Sequence, residues 1–167
     1  AYLKSFYRLE QDIKAGTIEA EENLRWLSFL KEPCEKLAEA KPPDIPAILP
    51  GILNFVRLIW SCSTHYTTDN RISGLLKKIS NEIIKRCQAT IELRDIFEGK
   101  VDTSMDQLEQ SIKCGRAWKQ AYLNTVRLIE GKEPDRPWSF PEGSIFAQID
   151  AFVQRCCDLT EVCEGQQ

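Results

Sequence analysis

Apolar residues recur along most of this chain in steps of three and four, the spacing that gathers them on one face of an α-helix. Near the C-terminal end Ile145, Ile149, Phe152, Cys156, Leu159 and Cys163 form such a seam, and Cys157 flanks it in line with Phe146, Val153 and Thr160. A second seam is Ile45, Leu49, Ile52, Val56, Ile59, Ser63 and Tyr66, with Ile48, Leu53, Phe55 and Trp60 adding apolar surface on other sides. A helix this apolar around its circumference is expected at the centre, covered by neighbours. A third seam carries Ile72, Leu76, Ile79, Ile83, Cys87 and Ile91. A fourth carries Met105, Leu108, Ile112, Gly115, Trp118, Tyr122, Val126 and Ile129. Upstream, Leu24, Trp26, Leu27, Phe29 and Leu30 make a dense apolar patch.

Breaks between the seams set the boundaries. Gly16 and Thr17 divide the N-terminal stretch, Pro33 predicts a kink or a fresh start, and "KPPDIP" stops it. Pro50 and Gly51 fall within the second seam and predict a bend unless the regular helix starts near them. Asp69 is an N-cap candidate for the third helix, which is expected to stop near Gly99, a good left-handed cap. Ser104 with Gln107 reads as a capping box opening the fourth helix, which ends at Gly131. Ser139 with Glu142 reads as another, after a proline-rich loop that lays Trp138 and Phe140 on the surface beneath. The expected sub-elements are N-terminal helices over 1–41, a central helix pair over 44–99, a fourth helix over 102–131 and a C-terminal helix over 139–164. No strand pattern competes, so residues 1–167 read as a single all-α segment, an antiparallel helical bundle or stacked helical array of about five to six helices.

At 167 residues one ordinary domain with a sizeable core is possible. The net charge of −3 gives no electrostatic reason to expect nucleic acid or an anionic membrane. No unbroken run of eighteen apolar residues occurs, and no membrane span is expected. The basic side of the third helix, Lys77, Lys78, Lys85 and Arg86, alternates with Glu82, Glu92 and Asp95 and reads as a solvated face. The only methionine is Met105 and the chain opens "AYLKSFYRLE", so a portion of something longer is expected.

The seven cysteines are the residues most open to a chemical reading. Zinc takes four converging ligands, commonly from C-x2-C or histidine pairs. Cys34, Cys62, Cys87 and Cys114 stand singly, and the one histidine, His65, is three positions from Cys62 without a further ligand beside it. The odd count and the lack of a secretory leader or glycosylation sequon argue against a disulfide framework and for a reducing compartment. Packing as compact apolar groups is the reading that fits the seam. No phosphate-binding G-x-x-x-x-G-K-[ST] loop, dinucleotide fingerprint, H-E-x-x-H or G-x-S-x-G occurs. Glu19, Glu21 and Glu22 sit in a solvated run without the desolvation that tunes an acid or base. No catalytic, cofactor-binding or metal-binding residue is therefore assigned. Trp138 and Phe140 remain either anchors for a partner or a clasp on this same bundle.

The block "LPGILNFVRLIWSCSTHYTTDNRISGLLKKISNEIIKRC" resembles the N-terminal tail region of axonemal dynein heavy chains. The resemblance lies in Ile59 and Trp60, then Tyr66, Thr67, Thr68 and Asp69, then Leu75, Leu76, Lys78, Ile79, Asn81, Glu82, Ile83, Ile84 and Cys87. "FLKEPCEKLAEAKPPDIPAILP" and "RPWSFPEGSIFAQIDAFVQRCCDLTEVC" are similar to the family's flanking segments, so most of the chain from Asn23 onward is covered. The resemblance implies a non-enzymatic piece of a ciliary or flagellar microtubule motor whose ATP- and Mg-dependent ring lies far downstream. It implies a structural and assembly role in the axoneme. The implied partners are dynein intermediate and light chains, neighbouring heavy chains and docking components of the doublet microtubule. The alternative is a stand-alone cytoplasmic helical adaptor, which the bundle by itself would permit.

Overall fold

The computed structural model describes residues 2–62, 69–132, 138 and 140–165. Among them are six α-helices and no strand: α1 (Tyr2–Glu39), α2 (Ile45–Cys62), α3 (Asp69–Gln88), the short α4 (Leu93–Phe97), α5 (Val101–Glu130) and α6 (Glu142–Gly165). A 3-10 turn, Pro42–Asp44, joins α1 to α2. The all-α array expected from the seams is the observed architecture.

The longest contacts converge on α5, which packs against α2, α3, α4, α6 and the 3-10 turn, while α1 lies against α2 and α3. At 30 residues α5 is about 45 Å long. Ile45, Leu49, Ile52, Leu53, Val56, Ile59 and Trp60 of α2 are buried. The stretch Pro42–Cys62 is apolar and long enough by composition to cross a bilayer. Its buried side chains pack against α1 and α5, but Ile48 and Phe55 are only partly covered and Leu58 is exposed, so the central place expected of this helix is taken by α5. Among the described side chains of α1, burial begins only at Leu30 and continues at Leu37.

Several boundaries differ from the expected ones. α1 runs through Gly16 and Thr17 without a break, since one glycine costs a helix interior only about 1 kcal/mol. It also runs through Pro33, and α2 starts five residues before Pro50, directly from the 3-10 turn. α3 stops at Gln88, not near Gly99. There Ala89, Thr90 and Ile91 donate back to Lys85, Cys87 and Gln88, and the Thr90 hydroxyl binds the Cys87 carbonyl at 2.8 Å. Gly99, at φ 84°, closes α4 instead, using the left-handed region open to glycine.

The capping box at Ser104 is not formed. α5 begins three residues earlier, its N-cap Lys100 makes no side-chain cap, and Ser104 is buried with its hydroxyl unpaired among the described residues. Gly99 reverses the chain so tightly that α5 starts at once. Lys100 N donates to the Asp95 carbonyl and its ammonium pairs with the Asp95 carboxylate at 3.1 Å. Ser139 lies outside the described residues, as do the Asp69 side chain and Ser63, Tyr66 and His65.

The buried seam of α5 is also rotated by one residue from the hydropathy stripe. Ser104, Leu108, Ser111, Gly115, Trp118, Tyr122, Thr125 and Ile129 are buried, whereas Met105, Ile112 and Val126 are only partly covered. Ser111 and Thr125 satisfy themselves by donating to the carbonyls of Gln107 and Ala121, both at 2.9 Å, so each passes as a small core side chain. On the facing side of α3, Ser73, Ser80 and Cys87 recur every seven residues and are buried. The two small-residue lines meet where Cys87 contacts the side chains of Cys114 and Ser111. On the α6 side, a Cβ at Gly115 would fall on the Val153 side chain, so the α5–α6 contact requires glycine there.

Three stability results are expected. Ile59→Ala and Leu76→Ala, both fully buried, should each cost about 2–5 kcal/mol in urea unfolding. Gly115→Ala should cost about 1–3 kcal/mol by overpacking against Val153. Ser80→Ala, by contrast, removes a fully buried hydroxyl with no partner among the described residues and should leave stability unchanged or raise it by about 1 kcal/mol. A loss of comparable size in that variant would mean the hydroxyl is bonded.

Candidate functional site

The proline-rich connection after α5 returns to the bundle through two aromatic residues. Trp138 and Phe140 are buried, with their rings perpendicular and centroids 4.6 Å apart. Trp138 meets Trp60 of α2 edge-on at 5.2 Å and donates its indole N–H to the Tyr122 hydroxyl of α5 at 3.2 Å. Tyr122 stands edge-on to Phe146 of α6 at 5.1 Å. Five aromatic side chains thus join α2, α5, α6 and the loop, three of the pairs with ring edges against ring faces and the Tyr122–Trp138 pair tilted at 55°. Burial pushes the Tyr122 phenol above its ordinary value, against the opposing effect of the Trp138 hydrogen bond. Of the two readings open for Trp138 and Phe140, the clasp on this bundle is the one observed. The partners Trp60 and Tyr122 could be read only as apolar helix residues, because nothing in their spacing points to the loop.

The thiols occupy the opposite end of the chemistry. Cys87, Cys114, Cys156 and Cys163 are buried, Cys34 and Cys157 are partly covered and Cys62 is exposed. Cys114 donates to the Pro42 carbonyl at 3.0 Å, tying α5 to the 3-10 turn that starts α2. Its hydrogen bond to Cys87, together with burial, pushes the Cys114 thiol up. Burial, with the neighbouring Cys87 and Cys157, pushes Cys156 up to about 12. Thiols held in this way are poor nucleophiles. Among the described residues no three His, Cys, Asp or Glu side chains are placed to share a metal. His65, the candidate neighbour of Cys62, lies outside those residues.

The basic side of α3 does not form a site. Lys78 and Lys85 are exposed and Lys77 is half-covered. Arg86 turns inward and its Nε donates to the Ala40 carbonyl at 3.2 Å, closing the C-terminal end of α1. Glu21 and Glu22 are exposed. The side chain of Glu19 lies outside the described residues.

Two surface features remain. Between α1 and α2 a shallow groove of about 580 Å3 runs past Phe29, Pro33, Ile48, Gly51 and Phe55. At the end of α3 a half-open cavity of about 330 Å3 lies between the α3–α4 connection and α6, lined by Ile91, Leu93, Phe152, Cys156 and Leu159. The cavity is mostly apolar, with Gln88 and Arg155 also on its lining, whereas Ser28, Glu32 and Lys36 make the groove mixed in character.

Because the folded state holds Cys156 as a neutral thiol with a raised pKa, its contribution to stability is complete below the ordinary value near 9. It should be lost as pH rises from there towards about 12. Urea midpoints measured from pH 8 to 11 should therefore fall, and Cys156→Ala should flatten part of that fall. A parallel slope in both proteins would mean the thiol is not shifted.

The whole chain, residues 1–167, matches the family model described as "Dynein heavy chain, N-terminal region 1". It is 48% identical over 166 residues to the dynein-1-beta heavy chain of the flagellar inner arm I1 complex of Chlamydomonas reinhardtii, covering 99% of this chain and 4% of that one. It is 32% identical over 149 residues to the dynein-1-alpha heavy chain of the same complex, covering 87% and 3%. To the ciliary dynein beta chain of Tripneustes gratilla it is 31% identical over 160 residues, covering 93% and 4%. It thus spans only a few per cent of the length of these relatives. With the family model matched from end to end and its features carried by an all-α bundle, the chain belongs to the dynein heavy-chain family and corresponds to its N-terminal region 1.

Proposed function

We propose that this segment is a non-catalytic scaffold in the tail of an axonemal dynein heavy chain, in a cilium or flagellum. In this reading it holds intermediate and light chains, meets neighbouring heavy chains and contributes to docking on the doublet microtubule. ATP and Mg chemistry belongs to modules elsewhere in the parent chain. The observation that carries the reading is the 48% identity to a flagellar inner-arm heavy chain across 99% of these residues. Relatives named for outer-arm and ciliary chains support the axonemal setting.

The packing suits the task. A tail has to pass force along its length with little extension, and close-packed interiors are weakly compressible. Here α5 is held on several sides, and the aromatic clasp ties the connection after it to α2 and α6. Buried thiols with raised pKa values supply packing without reactivity.

Deleting these residues from the full-length heavy chain should abolish or reduce incorporation of intermediate and light chains into the arm, and leave the ATPase rate of the motor part unchanged. Co-sedimentation of the arm subunits and steady-state ATPase measurement would check both halves. Normal arm assembly without the segment, or ATP binding to the segment itself, would overturn the scaffold reading.

A further inference from the structure

Cys87 and Cys114 meet across the α3–α5 contact with both side chains fully buried. Their surroundings differ. Cys114 faces the Pro42 carbonyl at 3.0 Å, an acceptor that binds its proton and would repel a thiolate. Cys87 instead faces two donors from α5, the Cys114 thiol and the Ser111 hydroxyl one turn before it. Each of these donors also has a backbone carbonyl to bind, Pro42 and Gln107, so either can turn to Cys87 once that sulfur carries charge. The hydrogen bond from Cys114 holds the Cys87 thiol below its ordinary value, with burial opposing and Ser111 adding to the same effect. The first proton of the pair therefore leaves Cys87 and the second stays on Cys114, which is the division between an attacking thiol and a resolving one. Access comes from the cavity of about 330 Å3 at the end of α3, whose lining includes Cys156 and Gln88, the neighbour of Cys87 in the chain. Cys156 is close enough to Cys87 to feel its charge, so a molecule little larger than water reaches the edge of the thiol cluster.

We propose that Cys87 and Cys114 are a reversible redox pair, which hydrogen peroxide converts to a disulfide joining α3 to α5. The Cys87 sulfur attacks one peroxide oxygen and the O–O bond breaks. The departing hydroxide leaves as water with the proton that Cys87 has lost, and Cys87 becomes a sulfenic acid. The Cys114 sulfur then attacks the Cys87 sulfur, the S–O bond breaks, and a second water leaves with the Cys114 proton. Two thiols are oxidised to one disulfide while one peroxide is reduced to two waters. Contact between the side chains takes the place of a preformed Cys114 thiolate, because its proton passes to the departing oxygen as the S–S bond forms. A dithiol reductant reverses the link by exchange. In a reducing compartment a disulfide of this kind is transient and reports oxidant. Its effect on the fold is to fasten two helices at their small-residue contact.

Trypsin separates the thiols concerned, since Cys87 falls in the peptide 87–94, Cys114 in 114–116, and Cys156, Cys157 and Cys163 in a third that starts after Arg155. The full-length heavy chain is treated with hydrogen peroxide, catalase ends the reaction, free thiols are blocked with N-ethylmaleimide in urea, and the digest is mapped by mass spectrometry. Peptide 87–94 should appear joined to 114–116, about tenfold or more over any other pairing of these seven cysteines, and dithiothreitol should part the two. Cys114→Ser should leave Cys87 as a sulfenic acid that dimedone captures, and Cys87→Ser should leave Cys114 a free thiol at the same dose. Mapping of the unaltered chain decides the matter even where a variant fails to fold. Recovery of both cysteines as maleimide adducts while glutathione in the same tube is fully oxidised would overturn the pair. So would Cys87 joined to Cys156, or a link between Cys87 and Cys114 that forms only after urea has unfolded the chain. None of these results touches the scaffold reading, which the deletion tests separately.

Discussion

A helix packed against neighbours on several sides must keep its buried line narrow enough for close approach, and that constraint on α5 shapes the rest of the bundle. Its buried line contains three hydroxyl residues and a glycine among larger apolar groups. Close approach to α6 fixes glycine at position 115. Close approach to α3 is met by serine and cysteine on both helices. Two of the α5 hydroxyls bind their own backbone one turn back, which leaves small bodies and little polar cost.

The thiols follow from the same constraint. A cysteine fills the volume of a small hydrophobe, and its weak donor can reach a stray carbonyl. Cys114 does this at Pro42, where the 3-10 turn leaves a backbone oxygen facing α5. Three buried thiols, Cys87, Cys114 and Cys156, come from three different helices, so the helices meet through groups that can be packed tightly. Desolvation then keeps Cys156 protonated, and the chemical potential of the residue type is suppressed by the position that makes it useful.

The aromatic residues solve a different problem. A long connection rich in proline offers few backbone hydrogen bonds of its own. Large rings compensate, since Trp138 and Phe140 bury apolar area while the indole N–H finds the Tyr122 hydroxyl. The clasp and the thiols leave two recesses open, the groove between α1 and α2 and the cavity beside α4.

The sequence by itself determined the all-α class, the positions of the long helices and the family. Those properties are written in three-four spacing and in local motifs such as the block from Leu49 to Cys87. It also pointed to Cys156 and Cys163 as packing residues, because they fall in register with Ile149 and Phe152. Tertiary structure alone decided which line of α5 faces inward. Hydropathy favoured Met105, Ile112 and Val126, but the spacing between helices favoured Ser104, Ser111 and Thr125, and side-chain volume outweighed transfer free energy. Helix ends depended on the same level. Gly16 and Pro33 did not break α1, and the Ser104 capping box gave way to the tight turn at Gly99. The partners of Trp138, Trp60 and Tyr122, come from residues far apart in the chain. No local pattern encodes such meetings, because they are set by how whole helices pack.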